Sequence, residues 1–117
     1  MPTVLVLDDD PVVVELLRTV LTDEGHACIA FPSLDAVTGP ARADLAVVDL
    51  VPLKSYRRDA ALAWVASLRE RLGGIPVIVL TAHAAALAEP DRLGADGIVG
   101  KPFDVDTLLA TVNELLR

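Results

Sequence analysis

The chain reads as an α/β protein in which a parallel five-stranded sheet carries helices on both faces. Three observations carry that reading. Short apolar runs of strand character alternate with segments whose apolar residues recur at helical spacing. The run Leu45-Ala46-Val47-Val48 is apolar throughout, as a strand covered on both faces requires. Several runs stop abruptly at polar residues, and the carboxyl ends of strands are where open α/β sheets bind ligands.

Taken in order, Thr3-Val4-Leu5-Val6-Leu7 is the first strand, stopped by Asp8-Asp9-Asp10. Asp10 then caps a helix with Pro11 in its first turn. Its stripe is Val13, Leu16, Leu17, Val20 and Leu21, and Gly25 closes it. Residues 26–31 form a second strand that begins at His26. Ser33 caps a weak helix over 34–38, ended by Gly39-Pro40. Residues 45–49 form strand three, and 50–58 read as a long loop with Pro52, Lys54, Arg57 and Arg58. Asp59 is expected to cap a helix with the stripe Ala61, Trp64, Val65, Leu68 and Leu72, ended by Gly73-Gly74. Strand four spans 76–80 and is stopped by Thr81. The helix expected within 82–93 is short or irregular, because Pro90 removes a hydrogen bond from its interior. Gly97-Ile98-Val99 is strand five, followed by Lys101-Pro102. Asp104 caps the last helix, with the stripe Val105, Leu108, Leu109, Val112 and Leu116.

A length of 117 residues corresponds to one domain, expected to span 1–117. The leading Met1 suggests a true start, and the chain is read as a stand-alone protein or as one unit of a longer one. The uncharged run over 73–88 is broken by Pro76 and two glycines, so no membrane span is expected. No basic segment precedes an apolar one at the N-terminus, and the single cysteine, Cys28, cannot form an internal disulfide. A cytoplasmic location is the expectation. A net charge of -7 argues against direct contact with nucleic acid.

Right-handed crossovers gather all strand carboxyl ends on one edge. That edge collects Asp8, Asp9, Asp10, Asp49, Thr81 and Lys101. Crowded carboxylates repel by roughly 1–4 kcal/mol per pair at about 4 Å. A divalent cation relieves this, and oxygen-only donors suit Mg²⁺ or Mn²⁺ better than zinc. A metal, a lysine and a hydroxyl around one carboxylate are the parts that stabilise a transferring phosphoryl group. Asp49 is then the nucleophile and forms an acyl phosphate. The acidic triplet exceeds the single acid that capping needs.

Val6-Leu7-Asp8-Asp9-Asp10-Pro11, Asp44-Leu45-Ala46-Val47-Val48-Asp49-Leu50, Leu80-Thr81-Ala82 and Gly94-Ala95-Asp96 with Gly100-Lys101-Pro102-Phe103 together resemble the receiver domain of two-component response regulators. The resemblance covers essentially the whole chain and implies a flavodoxin-like sheet of order 2-1-3-4-5. It implies a phospho-acceptor at Asp49 and Mg²⁺ held by Asp9, by Asp8 through water, by Asp49 and by the Val51 carbonyl. Thr81 and Lys101 would bind the phosphoryl group. Pro102 would aim Lys101 inward through a cis bond, and His83 would border the phosphate. The implied partners are a histidine kinase or histidine phosphotransfer protein, and a downstream protein or linked effector domain. The implied protein is no enzyme beyond its own phosphorylation and dephosphorylation.

The chain departs from that pattern in its readout. Pro52 follows Asp49 by three residues rather than four, and no glycine occurs over 53–59. Ile98 stands where the family usually has Tyr or Phe, three residues before the lysine. Val51 offers no polar side chain to position water, so a long-lived acyl phosphate is expected. Two other readings are open at this point. One is a degenerate receiver acting only as an interaction module. The other is a haloacid-dehalogenase-type phosphatase using Asp8 as nucleophile and Asp10 as acid/base, which lacks a further acidic pair after Lys101. His26 is expected at a surface strand start, Cys28 and Trp64 in packing, and Lys54, Arg57 and Arg58 in a solvated loop that could also contact the phosphoryl group or a partner.

Overall fold

Five parallel strands, β1 (Thr3–Leu7), β2 (Ala27–Phe31), β3 (Leu45–Asp49), β4 (Val77–Thr81) and β5 (Gly97–Gly100), make one sheet of order β2-β1-β3-β4-β5. This is the expected flavodoxin-like topology. The computed structural model describes residues 2–32, 36, 43–49, 57–101 and 103–116. Apart from residue 36, the helix expected over 34–38 lies outside the described residues, as do the loop residues Val51, Pro52 and Lys54, and Pro102. Four helices are described: α1 (Pro11–Asp23), α2 (Arg58–Arg71), α3 (Ala84–Leu87) and α4 (Val105–Leu115). A 3₁₀ turn, Arg92–Gly94, follows α3.

Side chains alternate across a strand, and here the alternation sorts the core into two layers. Val4, Val6, Leu45, Val47, Ile78, Leu80 and Val99 face Leu17 and Leu21 of α1 and Leu108 and Val112 of α4. Leu5, Leu7, Ala46, Val48, Val77 and Val79 face Ala61, Val65 and Leu68 of α2, with Ala86 and Leu93. The runs are continuous in sequence because both faces are covered.

Several local expectations need correction. Helix α2 starts at Arg58, with Arg57 as its N-cap and no side-chain cap bond. Arg57 enters in extended backbone (φ -135°, ψ 121°), which leaves Asp59 inside the first turn rather than at the cap. There an acid still favours the positive end of the helix dipole. Leu16 and Val105, placed on the apolar stripes, are 46% and 36% exposed. Strand β2 begins at Ala27, not His26, and His26 is buried, with Nε2 3.1 Å from Oδ1 of Asn113 in α4. The expected short fourth helix is borne out. It ends well before Pro90, and Asp91 caps the 3₁₀ turn by accepting the Leu93 N–H at 3.1 Å. Asp10 and Asp104 cap α1 and α4 as expected, accepting the N–H of Val12 and of Asp106.

Candidate functional site

Strands β1 and β3 are neighbours, although β2 lies between them in sequence. That is the switch point of the sheet, and Asp8 and Asp49 stand at its carboxyl edge. Backbone bonds carry the order of the sheet past the strand ends. Asp8 N–H donates to the Phe31 carbonyl at 3.2 Å, and Lys101 N–H donates to the Thr81 carbonyl at 2.8 Å. The two-residue period then decides which side chains meet. Asp8 extends the row of Val4 and Val6, Asp49 the row of Leu45 and Val47, and Lys101 the position of Val99. All three belong to the layer under α1 and α4.

Their side chains converge. Lys101 Nζ donates to Asp8 Oδ2 at 3.1 Å and lies 2.9 Å from Asp49 Oδ2 in an ion-pair contact. The side chains of Asp8 and Asp49 are 1% and 7% exposed, that of Lys101 20%. Asp8 Oδ1 also accepts the Asp10 N–H at 2.9 Å, which fixes the carboxylate against the start of α1. Burial by itself would lower the Lys101 pKa. Its contacts with Asp49 and Asp8, and their charges, outweigh that and hold it above its ordinary value of 10.5. Lys101 therefore stays an ammonium at neutral pH.

Asp9 is exposed and completes an acidic group. One carboxylate oxygen each from Asp8, Asp9 and Asp49 lie within 4.8 Å of one another. An all-oxygen set open to water on one side fits a hard divalent cation such as Mg²⁺, with room for water ligands. No other such group of acids, histidines or cysteines occurs among the described residues.

Thr81 belongs to the other row, that of Val77 and Val79. Its Oγ1 is buried and accepts the His83 N–H at 3.0 Å. A threonine hydroxyl that accepts one bond still has its own proton to donate. His83 is half-buried at the N-cap of α3, without a side-chain cap bond. Ile98 is half-buried against the layer under α2 and pairs with Val79. Arg57 and Arg58 do not join the acids. Arg57 pairs with Asp59 at 3.1 Å, and Arg58 pairs with Glu89 and Asp91. The sequence reading missed that clamp, and it also missed Asp96, whose carboxylate accepts the Val77 N–H at 2.9 Å and pairs with Arg69. The sequence signal for Asp96 was its place in the Gly94-Ala95-Asp96 motif directly before β5.

Residues 4–113 match the family described as the response regulator receiver domain. The chain belongs to that family. As a receiver domain it is 33% identical, over its whole length, to half of the DNA-binding dual master transcriptional regulator RpaA of Synechocystis. It is 36% identical to the transcriptional regulatory protein GltR of Pseudomonas aeruginosa, covering 98% of this chain and 49% of that protein. The chain thus spans about half the length of these relatives. Among solved structures, response regulator protein TrrA from Thermotoga maritima, in complex with Mg²⁺-BeF, matches with a TM-score of 0.77 at 26% identity. That match covers 99% of this chain and 100% of that one. A response regulator receiver protein from Burkholderia phymatum matches at 0.72 with 28% identity, covering 99% and 95%. Receiver-domain signalling in a two-component system replaces the haloacid-dehalogenase reading. No helix among the described residues is long and apolar enough to cross a membrane.

Proposed function

We propose that this receiver domain accepts a phosphoryl group on Asp49 from a phosphohistidine donor in a Mg²⁺-dependent reaction. The observation that carries the reading is the Lys101 ammonium bridging the buried carboxylates of Asp8 and Asp49, with Asp9 alongside. An Asp49 oxygen attacks phosphorus, the P–N bond of the donor breaks, and its electron pair returns to the imidazole nitrogen, which takes a proton from solvent. Asp8, Asp9 and Asp49, with the Val51 carbonyl, are the residues that would hold the ion. When bound, the ion supplies positive charge beside the acids and the phosphoryl oxygens. Lys101 keeps its proton and supplies a fixed cation. Thr81 keeps its contact with His83 and donates its own hydroxyl proton to a phosphoryl oxygen.

The donor is a histidine kinase or a histidine phosphotransfer protein. The output is a downstream protein or a linked effector domain, in keeping with relatives twice as long that are named transcriptional regulators. The acidic domain itself, at net charge -7, makes no direct nucleic-acid contact and works in the cytoplasm. It performs no chemistry beyond gaining and losing its own phosphate.

Intact mass spectrometry after incubation with acetyl phosphate tests this. The wild type with Mg²⁺ gains one phosphoryl group; with chelator, or as Asp49→Asn, it gains none. An adduct that persists in Asp49→Asn contradicts the assignment, and no adduct in the wild type favours the degenerate, phosphorylation-independent receiver.

A further inference from the structure

Two local rules are broken on opposite sides of one ion pair. Arg57 and Arg58 place two cations at the uncapped N-terminus of α2, the positive end of the helix dipole. Facing them, Arg92 (φ 54°) and Leu93 (φ 55°) both adopt left-handed backbone, followed by Gly94 at φ 80°. Residues with side chains take that conformation at a cost, and two in succession strain the turn.

The Arg58 guanidinium joins the two anomalies. Nη2 donates to Asp91 Oδ2 at 2.6 Å, and Nη1 donates to Asp91 Oδ1 at 3.2 Å and to Glu89. Asp91 Oδ1 also accepts the Leu93 N–H, so the clamped carboxylate joins the backbone bonds of Gly94 and Ala95 in holding the strained turn. Arg58 and Asp91 are 45% and 46% exposed, which makes this a water-exchanging contact rather than a buried lock. The clamp adds to the burial of Ala86 and Leu93 in holding the segment against α2, and the strained turn opposes both. The two halves hang from the strands that carry the site. Helix α2 follows β3 and Asp49, and residues 84–94 follow β4 and Thr81.

We propose that Arg58 is a conformational latch, forked onto Glu89 and Asp91, that holds residues 84–94 closed against α2 and lets them open on release. Opening relaxes Arg92 and Leu93 and exposes the apolar underside of the segment, Ala86 and Leu93, next to Thr81. Resting on the reading of Asp49 above, phosphorylation shifts the latch toward the open form.

Amide hydrogen exchange on the full chain, read by mass spectrometry, tests the latch. In the unmodified protein, Arg58→Gln and Asp91→Asn each speed exchange over 84–94 by a factor of about 3–5 and leave β1, β3 and β4 unchanged. Adding Arg92→Gly to Arg58→Gln slows it again, because glycine takes positive φ without strain. Exchange within about twofold of wild type in both single variants, or an equal rise throughout the sheet, overturns the latch. A second arm uses wild type treated with acetyl phosphate and Mg²⁺, with the adduct checked by mass on the same sample. The adduct speeds exchange over 84–94 in the wild type and adds nothing in Arg58→Gln. An adduct without faster exchange overturns the coupling. Absence of the adduct instead counts against Asp49 as acceptor, and the unmodified variants alone then decide the latch.

Discussion

Lys101 is the residue on which the site balances, because it is the cation between two carboxylates that the fold has pulled from water. Replacing it with methionine leaves Asp8 and Asp49 facing each other without that charge. We expect Lys101→Met to lose about 1–3 kcal/mol of stability without Mg²⁺. Ligand binding stabilises by mass action, and the acids hold the ion more tightly once the competing ammonium is gone. The rise in Tm on adding Mg²⁺ should therefore be larger in Lys101→Met than in the wild type; an equal or smaller rise contradicts the shared site. The pH dependence follows from the raised Lys101 pKa. A group whose folded pKa lies above its unfolded value stabilises fully below the unfolded value and loses that contribution as pH rises through the folded one. The difference in urea midpoint between wild type and Lys101→Met should hold steady up to pH 10.5 and shrink above it. At this scale the acids and the lysine were legible in the sequence, because each ends an apolar run. His26 was not: its partner Asn113 lies 87 residues away, and nothing local marks it as buried.

At the scale of elements, strands and the well-capped helices were legible, since Asp10 and Asp104 announce α1 and α4. Asp104 accepts from the Asp106 N–H at 3.3 Å and from the Thr107 hydroxyl at 2.9 Å, so Asp104→Ala should cost about 1 kcal/mol in thermal unfolding. The start of α2 was not legible, because an arginine at the N-cap breaks the rule that local sequence supplies. Nor was the left-handed backbone at Arg92 and Leu93, which tertiary contacts impose. Helix α4 lies close over β5. A Cβ on Gly97 would stand 3.0 Å from Thr111 Cγ2 and 3.5 Å from Ile78 Cγ1. Gly97→Ala should destabilise by about 1 kcal/mol, and Thr111→Ser, which removes the clashing methyl but keeps the hydroxyl bond to the Thr107 carbonyl, should recover most of it.

For the whole molecule, topology and site emerge from the same pattern. Apolar runs with strand alternation fix two core layers, and the polar residues that end those runs inherit the layer of the row they extend. That inheritance brings Asp8, Asp49 and Lys101 together and sets Thr81 in the adjacent row beside His83. Sequence spacing alone gave the gathering but not the division, because it does not show which row each terminal residue continues. The Arg58 clamp was likewise hidden, its partners lying 31 and 33 residues away on either side of Pro90, in the connection that follows α3. With no polar side chain at Val51 to orient water, the acyl phosphate should persist well beyond seconds after the donor is removed; decay within seconds contradicts that detail. The most direct test of the central claim is to trap the phosphorylated protein with borohydride, which reduces an acyl phosphate of aspartate to homoserine, and to map the product by peptide mass. Homoserine at position 49 alone is the predicted result; homoserine at 8 or 9, or at no position in a protein that carries phosphate, would contradict it.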